Sequence, residues 1–362
     1  WRTSVPLQGP AGATSALVNI TLTGATQVGY VTAESCDGNV TGERQWSNGN
    51  VSVGATVANL AVVPLDGLGR FCLYNSSPMH TIVDVQGFFM PSALSDSKAT
   101  KFTPFSPSRV LDTRKVGGKV AASALKEVAV NGVLKDAVAI LTNLTVTGTS
   151  SEGYLAGDSC TKLSSNAPDS SNLNFSSQDT VANLAVVNLG QMSQGLGFCT
   201  WANQELHQIV DIQGVFTPGA SGMWGFNLEP QRRLVDTRKC VTDCAEVFRP
   251  GAMIKLKAPA GASAVLVNLT LTDAANSSFV IADRCSTLSP STETPSNANV
   301  TVGRVAANLA VVPVDVDGSF CVYTSSATRV IVDIQGTFSP SADLRFIPVS
   351  SVRRFDSRKL AN

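Results

Sequence analysis

Hydrophobic and polar residues alternate with a period of two along several stretches of the chain. Within residues 17–23, Val18, Ile20 and Leu22 point to one side of an extended strand, and the intervening asparagine and threonines point to the other. Residues 57–63 alternate in the same way, and β-branched residues dominate both stretches. Clusters of Gly, Asn, Ser and Pro separate the stretches, and the sequence has no helical period of useful length. The pattern predicts an all-β protein built from antiparallel strands.

The strand-like segments recur three times in the same order. The first reads LVNITLT, LTNLTVT and LVNLTLT, and its asparagines, Asn19, Asn143 and Asn268, are 124 and 125 residues apart. Copies of ANLAVV, of a cysteine segment (GRFCLY, LGFCTW, GSFCVY) and of IVDxQGxF follow in each case. A period of this length suits whole domains in tandem, since solenoid repeats are much shorter. We therefore predict three homologous β-sandwich domains of jelly-roll type, each with one internal disulfide.

The repeat is out of phase with the ends of the chain. An RxxDTR segment opens the second copy at 109–115 and the third at 233–239. The first copy lacks this segment, whereas the related RRFDSRK at 353–359 has no copy after it. The predicted parts of the chain are a first domain without its opening segment at 1–95, complete domains at 101–218 and 223–340, and a spare opening segment at 341–362.

The spare segment, with Arg353, Phe355, Asp356 and Arg358, is expected to complete a first domain. An incomplete β-domain leaves an open sheet edge, which favours association. The segment either folds back onto its own first domain and closes a ring, or enters the first domain of the next chain and forms a head-to-tail polymer. A third interpretation is that it is the remnant of a longer array. We favour the polymer, because a fairly straight row of domains holds the two ends apart.

Eight cysteines lie at ordered spacings. Zinc sites need CxxC-type clusters with histidine, and the chain has only His80 and His207, so disulfides are the stronger interpretation. Stable disulfides indicate an oxidising, extracellular or cell-surface location. The chain opens at Trp1 with no signal-peptide pattern, which we interpret as a processed, exported form. The predicted disulfide pairs are Cys36 with Cys72, Cys160 with Cys199, Cys285 with Cys321, and the short pair Cys240 with Cys244.

Each IVDxQG segment places an Asp and a Gln on one face of an apolar strand, and each RxxDTR segment adds an Asp between two arginines. A buried carboxylate needs a partner, and arginine offers it two parallel donors. We therefore expect a structural ion-pair network that fastens each opening segment to an IVDxQG strand, with Arg353 or Arg358 reaching Asp84. The competing interpretation is a carboxylate pair for acid–base chemistry, or a ligand site present three times. The network residues are Asp84, Gln86, Arg109, Asp112, Arg114, Asp211, Gln213, Arg233, Asp236, Arg238, Asp333 and Gln335.

Enzyme signatures are missing from the sequence. His80 and His207 fall at matching places in the first two copies, but Arg329 stands there in the third. A catalytic base would not be exchanged for arginine. The sequence has no GxSxG, HExxH or Walker motif. We expect a protein without catalytic activity, cofactor or metal.

The charge and hydropathy of the sequence exclude further classes of partner. Lysine and arginine total 27, as do aspartate and glutamate, so the net charge is zero and the sequence has no basic footprint for nucleic acid. No apolar run approaches about 18 residues, so no membrane span is predicted. A neutral surface with only 15% charged residues has little self-repulsion and favours association.

The combination of RxxDTR, VNxTxT, Cys…ANLAVV…FCxY and IVDxQGxF resembles a tandem module of secreted and cell-surface proteins of actinobacteria, where it often accompanies cell-wall hydrolase domains. The resemblance covers nearly the whole chain. It implies an exported bacterial surface protein but supplies no biochemical activity. This chain departs from the resemblance by lacking an appended hydrolase and by its shifted repeat phase, and both departures favour a building block.

The sequence therefore predicts a non-catalytic extracellular structural subunit. Its partner is another copy of itself, joined through the spare segment into a filament or other pilus-like surface appendage. The alternative is a monomeric cell-wall or carbohydrate-binding adhesion module that recognises surface glycans. That alternative is weakened because Trp46, Trp201 and Trp224 occupy different places in the repeat and form no shared platform for sugars.

Overall fold

The computed structural model describes residues 2–38, 42–164, 166–219, 221–239, 248–290 and 295–360. Within these ranges the regular structure consists of antiparallel strands and three 3-10 turns, with no α-helix, which confirms the all-β prediction. No helix in the same ranges is long and apolar enough to span a membrane. The 3-10 turns are Ser92–Leu94, Thr237–Lys239 and Ser357–Lys359.

The three sequence copies are called unit 1 (1–95), unit 2 (101–218) and unit 3 (223–340), and the last segment (341–362) is called the tail. Unit 1 contains β1 (Arg2–Pro6), β2 (Ser15–Thr23), β3 (Gly29–Ser35), β4 (Gly49–Val51), β5 (Val57–Pro64), β6 (Arg70–Asn75) and β7 (His80–Pro91). Unit 2 contains β8 (Thr100–Asp112), β9 (Leu125–Ala129), β10 (Ala139–Thr147), β11 (Gly153–Asp158), β12 (Leu173–Phe175), β13 (Val181–Asn188), β14 (Gly190–Met192), β15 (Gly195–Ala202) and β16 (His207–Pro218). Unit 3 contains β17 (Gly225–Asp236), β18 (Ala252–Lys257), β19 (Ala264–Thr272), β20 (Ser278–Asp283), β21 (Ala298–Val300), β22 (Ala306–Pro313), β23 (Ser319–Thr324) and β24 (Arg329–Ser339), and the tail forms β25 (Leu344–Asp356).

One sheet of twelve strands runs through all three units. In each unit the strand with the VNxTxT motif lies between the ANLAVV strand and the IVDxQG strand, which gives the orders β5-β2-β7, β13-β10-β16 and β22-β19-β24. The opening strand then pairs with the free side of the IVDxQG strand: β8 with β16, β17 with β24 and β25 with β7. Single pairings of β25 with β8 and with β17 join the three parts.

Each unit also has a smaller antiparallel sheet: β1-β6-β3-β4 in unit 1, β9-β15-β11-β12 with β14 beside β15 in unit 2, and β18-β23-β20-β21 in unit 3. An apolar core made of that unit's residues lies between the small sheet and one face of the large sheet. This packing explains why the VNxTxT and ANLAVV strands are rich in valine, leucine and isoleucine on one face.

Three of the four predicted disulfides are confirmed, and each ties together two parts of one unit's small sheet. The fourth predicted pair, Cys240 with Cys244, lies outside the described residues. A closed loop of this length stabilises a fold by about 3–4 kcal/mol in the chain-entropy model. The observed bridges are Cys36 with Cys72, Cys160 with Cys199, and Cys285 with Cys321.

The opposite face of the large sheet is also buried, in a second core that all three units share. Its centre is a closed circuit of six phenylalanine rings, whose neighbouring centroids lie 4.3–5.2 Å apart. IVDxQGxF strands and opening strands alternate around the circuit, and the tail supplies one ring. In order, the six residues are Phe89, Phe226, Phe338, Phe102, Phe216 and Phe346.

The glycine of each IVDxQG motif is needed because a phenylalanine of the opening strand lies directly against it. A Cβ atom on Gly87 would lie 2.2 Å from Phe346 and 2.8 Å from the Ile347 carbonyl oxygen. Gly214 and Gly336 have the same relation to opening-strand phenylalanines. Each of these contacts is too short for any side chain larger than hydrogen.

We predict that Gly87→Ala loosens the contact between the tail and unit 1. Overpacking of this kind costs about 1–3 kcal/mol, so the free energy of unfolding in urea should fall by that amount. Gly67→Ala is the matched control, because a Cβ at Gly67 meets no atom within 4 Å and should leave stability nearly unchanged. Equal effects of the two substitutions would contradict the packing described above.

Candidate functional site

The tail pairs with unit 1 of its own chain. Strand β25 runs antiparallel to β7 from Leu344 opposite Pro91 to Asp356 opposite Ile82, with two register shifts. Within the single chain, the tail therefore occupies the position beside β7 that the sequence analysis considered for ring closure. The expectation that a straight row of domains holds the two ends apart is wrong, because the units pack around one shared core that brings the end of unit 3 beside unit 1.

The contact between β25 and β7, called the tail joint, is built around a buried ion pair. Arg353 donates from Nε to one oxygen of Asp84 at 2.9 Å and from Nη2 to the other at 3.0 Å. The Asp84 side chain is fully buried. Of the two tail arginines expected to reach Asp84, Arg353 is the one that does. Phe355 packs against the core of unit 1 from the same strand.

The two internal joints repeat this geometry. Arg109 donates to both oxygens of Asp211 at 2.8 and 3.1 Å, and Arg233 donates to both oxygens of Asp333 at 2.8 and 3.2 Å. Both carboxylates are buried. The first arginine of each opening segment thus pairs with an IVDxQG aspartate, and the tail joint is chemically equivalent to a joint inside the chain.

The Asp of each opening segment pairs with the last arginine of the same segment. Asp356 accepts two bonds from the Arg358 guanidinium at 2.8 and 2.6 Å, and its carboxylate also accepts a bond from the Arg358 backbone N–H at the start of a 3-10 turn. The same folding back occurs between Asp112 and Arg114 and between Asp236 and Arg238. In each segment this Asp–Arg pair lies at the turn that follows the opening strand.

The two classes of aspartate have opposite pKa shifts. Burial raises the pKa of Asp84 above its usual range, and the hydrogen bonds from Arg353 act against this rise. Burial likewise raises the pKa of Asp211 and of Asp333. The Arg358 guanidinium holds the pKa of Asp356 below its usual range. At each joint the arginine thus lowers the carboxylate's pKa against the effect of burial.

Two of the three joints also contact a neighbouring unit. The backbone N–H of Ser171 in unit 2 donates to Asp84 at 3.0 Å, and the Val186 N–H donates to Gln86 at 2.9 Å. Likewise, two backbone N–H groups of unit 1 donate to side chains of unit 3: Ser47 to Asp333 and Val62 to Gln335. The IVDxQG motif therefore holds the opening strand and the neighbouring unit together. For Gln213 no such bond is found, since its Oε1 is buried without a partner among the described residues.

Asparagine amides, which the sequence analysis did not assign to any site, complete the contacts between units. The VNxTxT asparagines are buried, and each donates to a backbone oxygen of the next unit: Asn19 to Ser171, Asn143 to Ser296 and Asn268 to Ser47. The ANLAVV asparagines donate in turn to these VNxTxT amides. The available signal was that the same two asparagines recur in every copy, each inside a strand otherwise suited to apolar packing.

Among the described residues, no group of three His, Cys, Asp or Glu side chains could hold a metal ion. The joint carboxylates are each occupied by an arginine, and His80 and His207 lie at strand starts beside Ser357 and Thr113. What the geometry does provide is a set of specific non-covalent joints between β-strands.

Comparisons with known proteins do not assign this chain to a family. No family model matches the sequence, and no curated protein matches it. Similarity was found to a solved structure of Sulfolobus Turreted Icosahedral Virus, with 9% identity over 92% of this chain and 86% of that chain and a TM-score of 0.16. A second is from an archaeal virus described by its triple jelly roll fold and turret assembly, with 9% identity over 93% and 82% and a TM-score of 0.17. TM-scores this low do not indicate a shared fold.

We predict that Arg353→Met strongly destabilises the tail joint at neutral pH. Removing one partner of a buried pair leaves an uncompensated charge and costs about 3 kcal/mol. Without Arg353 the pKa of Asp84 rises further, so the folded variant binds a proton more tightly than the unfolded chain. Its deficit in free energy of unfolding should therefore shrink as the pH falls from neutral to about 5.

The matched control is Arg354→Met, since Arg354 is exposed on the same strand and, within the described part of the chain, its side chain hydrogen-bonds only to Gln8, at 3.4 Å. Urea unfolding of both variants across this pH range is the measurement. A deficit for Arg353→Met that stays constant or grows on acidification would contradict the role given to Asp84.

Proposed function

We propose that this protein is a non-catalytic structural protein of the extracellular surface, and that its folded form is a ring of three jelly-roll-like domains closed by the tail. The observation that carries the proposal is the antiparallel pairing of β25 with β7 around the Arg353–Asp84 ion pair. With this strand in place, the sheet edge of unit 1 is covered and all six phenylalanines of the central circuit are present. A surface building block needs these properties, because an uncovered edge aggregates.

The extracellular part of the proposal is supported by the three disulfides, which indicate an oxidising environment. Burial on both faces of the large sheet supports a rigid body rather than a flexible string of domains. The loops that differ most between the copies, after the first cysteine of each pair, would then be held by a fixed scaffold. Loops on such a scaffold are where binding to other surfaces arises.

A head-to-tail polymer is the second candidate, and the equivalence of the three joints favours it. Because Arg353 and Asp84 pair as Arg109 and Asp211 do, the tail would fit unit 1 of another chain as well as its own. Exchange of an identical element between protomers is a common route to assembly. In that case the filament would consist of three-domain repeats linked by exchanged tails.

Cross-linking separates the two forms. Met90 on β7 lies opposite Arg345 on β25, so cysteines at both positions of one chain should cross-link within that chain. Two single variants, Met90→Cys and Arg345→Cys, are then mixed under oxidising conditions after joint unfolding and refolding. For the ring we expect a monomer by light scattering and little mixed dimer on a non-reducing gel. Abundant mixed dimer, with filaments by electron microscopy, would overturn the ring and support the polymer.

Deletion of residues 344–360 tests whether the tail stabilises the protein, in the ring or in the polymer. The truncated chain should lose stability and self-associate, because it exposes the edge of β7 and opens the phenylalanine circuit. A truncated chain that remains a monomer with unchanged urea unfolding would contradict both candidates.

A further inference from the structure

The tail joint and the joint of unit 2 end on the same contact. The hydroxyl of Ser357 in the tail accepts a bond from the Thr81 N–H at 2.9 Å. In unit 2 the hydroxyl of Thr113 accepts a bond from the equivalent Gln208 N–H, also at 2.9 Å. The two joints are therefore alike up to this hydroxyl, and units 1 and 2 differ in what lies beyond it.

In unit 2 the segment after this contact crosses the start of β16. Val120 forms an antiparallel bridge with Leu206, the residue just before β16. The Val120 N–H donates to the Leu206 carbonyl oxygen at 2.9 Å, and the Leu206 N–H donates back at 3.2 Å. Leu206 is 0% exposed. In unit 3 the ring of Phe248 covers the start of β24, 4.2 Å from the Arg329 guanidinium. Both units thus have a polypeptide segment lying across the start of the IVDxQG strand.

Unit 1 has an open groove in the equivalent position. Met79 comes just before β7 as Leu206 comes just before β16, but Met79 is only half-buried. Its backbone N–H and carbonyl have no hydrogen-bond partner among the described residues. In unit 2 both of these backbone groups are used by the covering segment. The start of β7 therefore offers one donor and one acceptor with the spacing that an extended chain matches.

Glycines beside the strand starts show the same difference. A Cβ atom on Gly148 in unit 2 would lie 3.5 Å from Cε of Lys119, in the covering segment. On the equivalent Gly24 it would lie 3.3 Å from His80 and within 4 Å of no other described residue. The covering segment of unit 2 thus has no counterpart among the described residues of unit 1.

The groove beside Met79 is open enough for a ligand and has an apolar wall. Its volume is about 410 Å³, and ligand pockets typically have about 300–1,000 Å³. Leu73, Phe355 and Leu360 line it together with Met79, and so does the exposed His80. Within the described part of the chain, no Asp, Glu, Lys or Arg lines it. A neutral, apolar occupant fits, because the wall offers nothing to offset the desolvation of a charge.

The surface of this protein offers few segments that could fill the groove of a second copy. An occupant that pairs with Met79 needs extended backbone together with an apolar side chain. Val53, Leu68, Val116 and Val302 are 54–77% exposed, but each directly precedes a glycine whose φ lies between +69° and +89°. These residues lie in turns and not in extended segments. A flexible segment of a different protein meets both requirements.

We propose that the groove beside Met79 binds a neutral, extended peptide segment of a separate partner protein. The backbone of the segment pairs with the Met79 N–H and carbonyl, as Val120 pairs with Leu206 in unit 2, and an apolar side chain packs on Leu73 and Phe355. Because Phe355 belongs to the tail, the groove is complete only with a tail in place, whichever chain supplies it. The protein would in this way hold a second protein beside the tail joint.

The test titrates the full chain with capped synthetic peptides and follows backbone amide signals in ¹H–¹⁵N spectra. The main probe, GGAVAAS, copies residues 117–123 with alanine in place of Lys119, which makes it neutral. We expect it to shift the Met79 and His80 amide signals. A second peptide, GGAPAAS, has proline at the valine position and cannot donate the bond that the Val120 N–H makes in unit 2. It should bind about three- to tenfold more weakly.

A third peptide, GGADAAS, carries a charge at the same position and should leave the Met79 and His80 signals unchanged. No shift of these signals with GGAVAAS would overturn the proposal, as would equal affinity for GGAPAAS or equally tight binding of GGADAAS. Movement of the same signals with protein concentration alone would show that a second copy takes the groove, and would also overturn it.

Leu360→Lys places a charge at the groove and should weaken the binding of GGAVAAS about threefold or more. Leu94→Lys is the matched control, because Leu94 is 60% exposed, against 56% for Leu360, and lies in a 3-10 turn outside the groove. Urea unfolding without peptide shows that both variants are folded. Equal affinities of the two variants would place the peptide elsewhere on the surface and contradict the proposal.

Discussion

The shared aromatic core is the constraint on which the rest of the structure depends. Each unit buries one face of its large-sheet strands under its own small sheet, but the other face is buried only where three units meet. Six phenylalanines close a circuit there, and no unit supplies more than two of them. A single unit would expose these rings to water, so the hydrophobic effect requires that the units assemble together.

The polar contacts give this assembly its register. Apolar packing is non-directional, whereas a bidentate pair such as Arg353 with Asp84 fixes one strand against another to within a residue. The buried amides of Asn19, Asn143 and Asn268 do the same between neighbouring units. Each joint therefore combines an aromatic contact at a glycine with a charged contact at the aspartate three residues before it, and both must align at once.

The sequence was sufficient for the strands, three disulfides and the pairing of opening segments with IVDxQG strands. Period-two alternation identified β2 and β5, and the triplication placed the opening-segment arginines against the IVDxQG aspartates but left open which arginine of each segment pairs. It did not reveal that both faces of these strands are buried. In the sequence, Asn19 and Thr21 look like the solvent-facing side of a strand. A buried amide network and a solvent-exposed strand face use the same polar residue types, so the sequence does not distinguish them. The pairing of the tail with unit 1 of its own chain was not decided by the sequence for a related reason: repeat phase shows which piece is missing, but not where the chain's ends lie in space.

Because the three units belong to one polypeptide, equivalent positions in them can carry different residues. Ala55, Asp179 and Arg304 follow the short strands β4, β12 and β21 at the same distance in the three copies. In an assembly of three identical chains, a charge at this position would face two copies of itself across the axis, and repulsion would disfavour it. Here one polypeptide carries an apolar, an acidic and a basic residue at that level. A single polypeptide permits each unit to differ at this position, which strict threefold symmetry forbids.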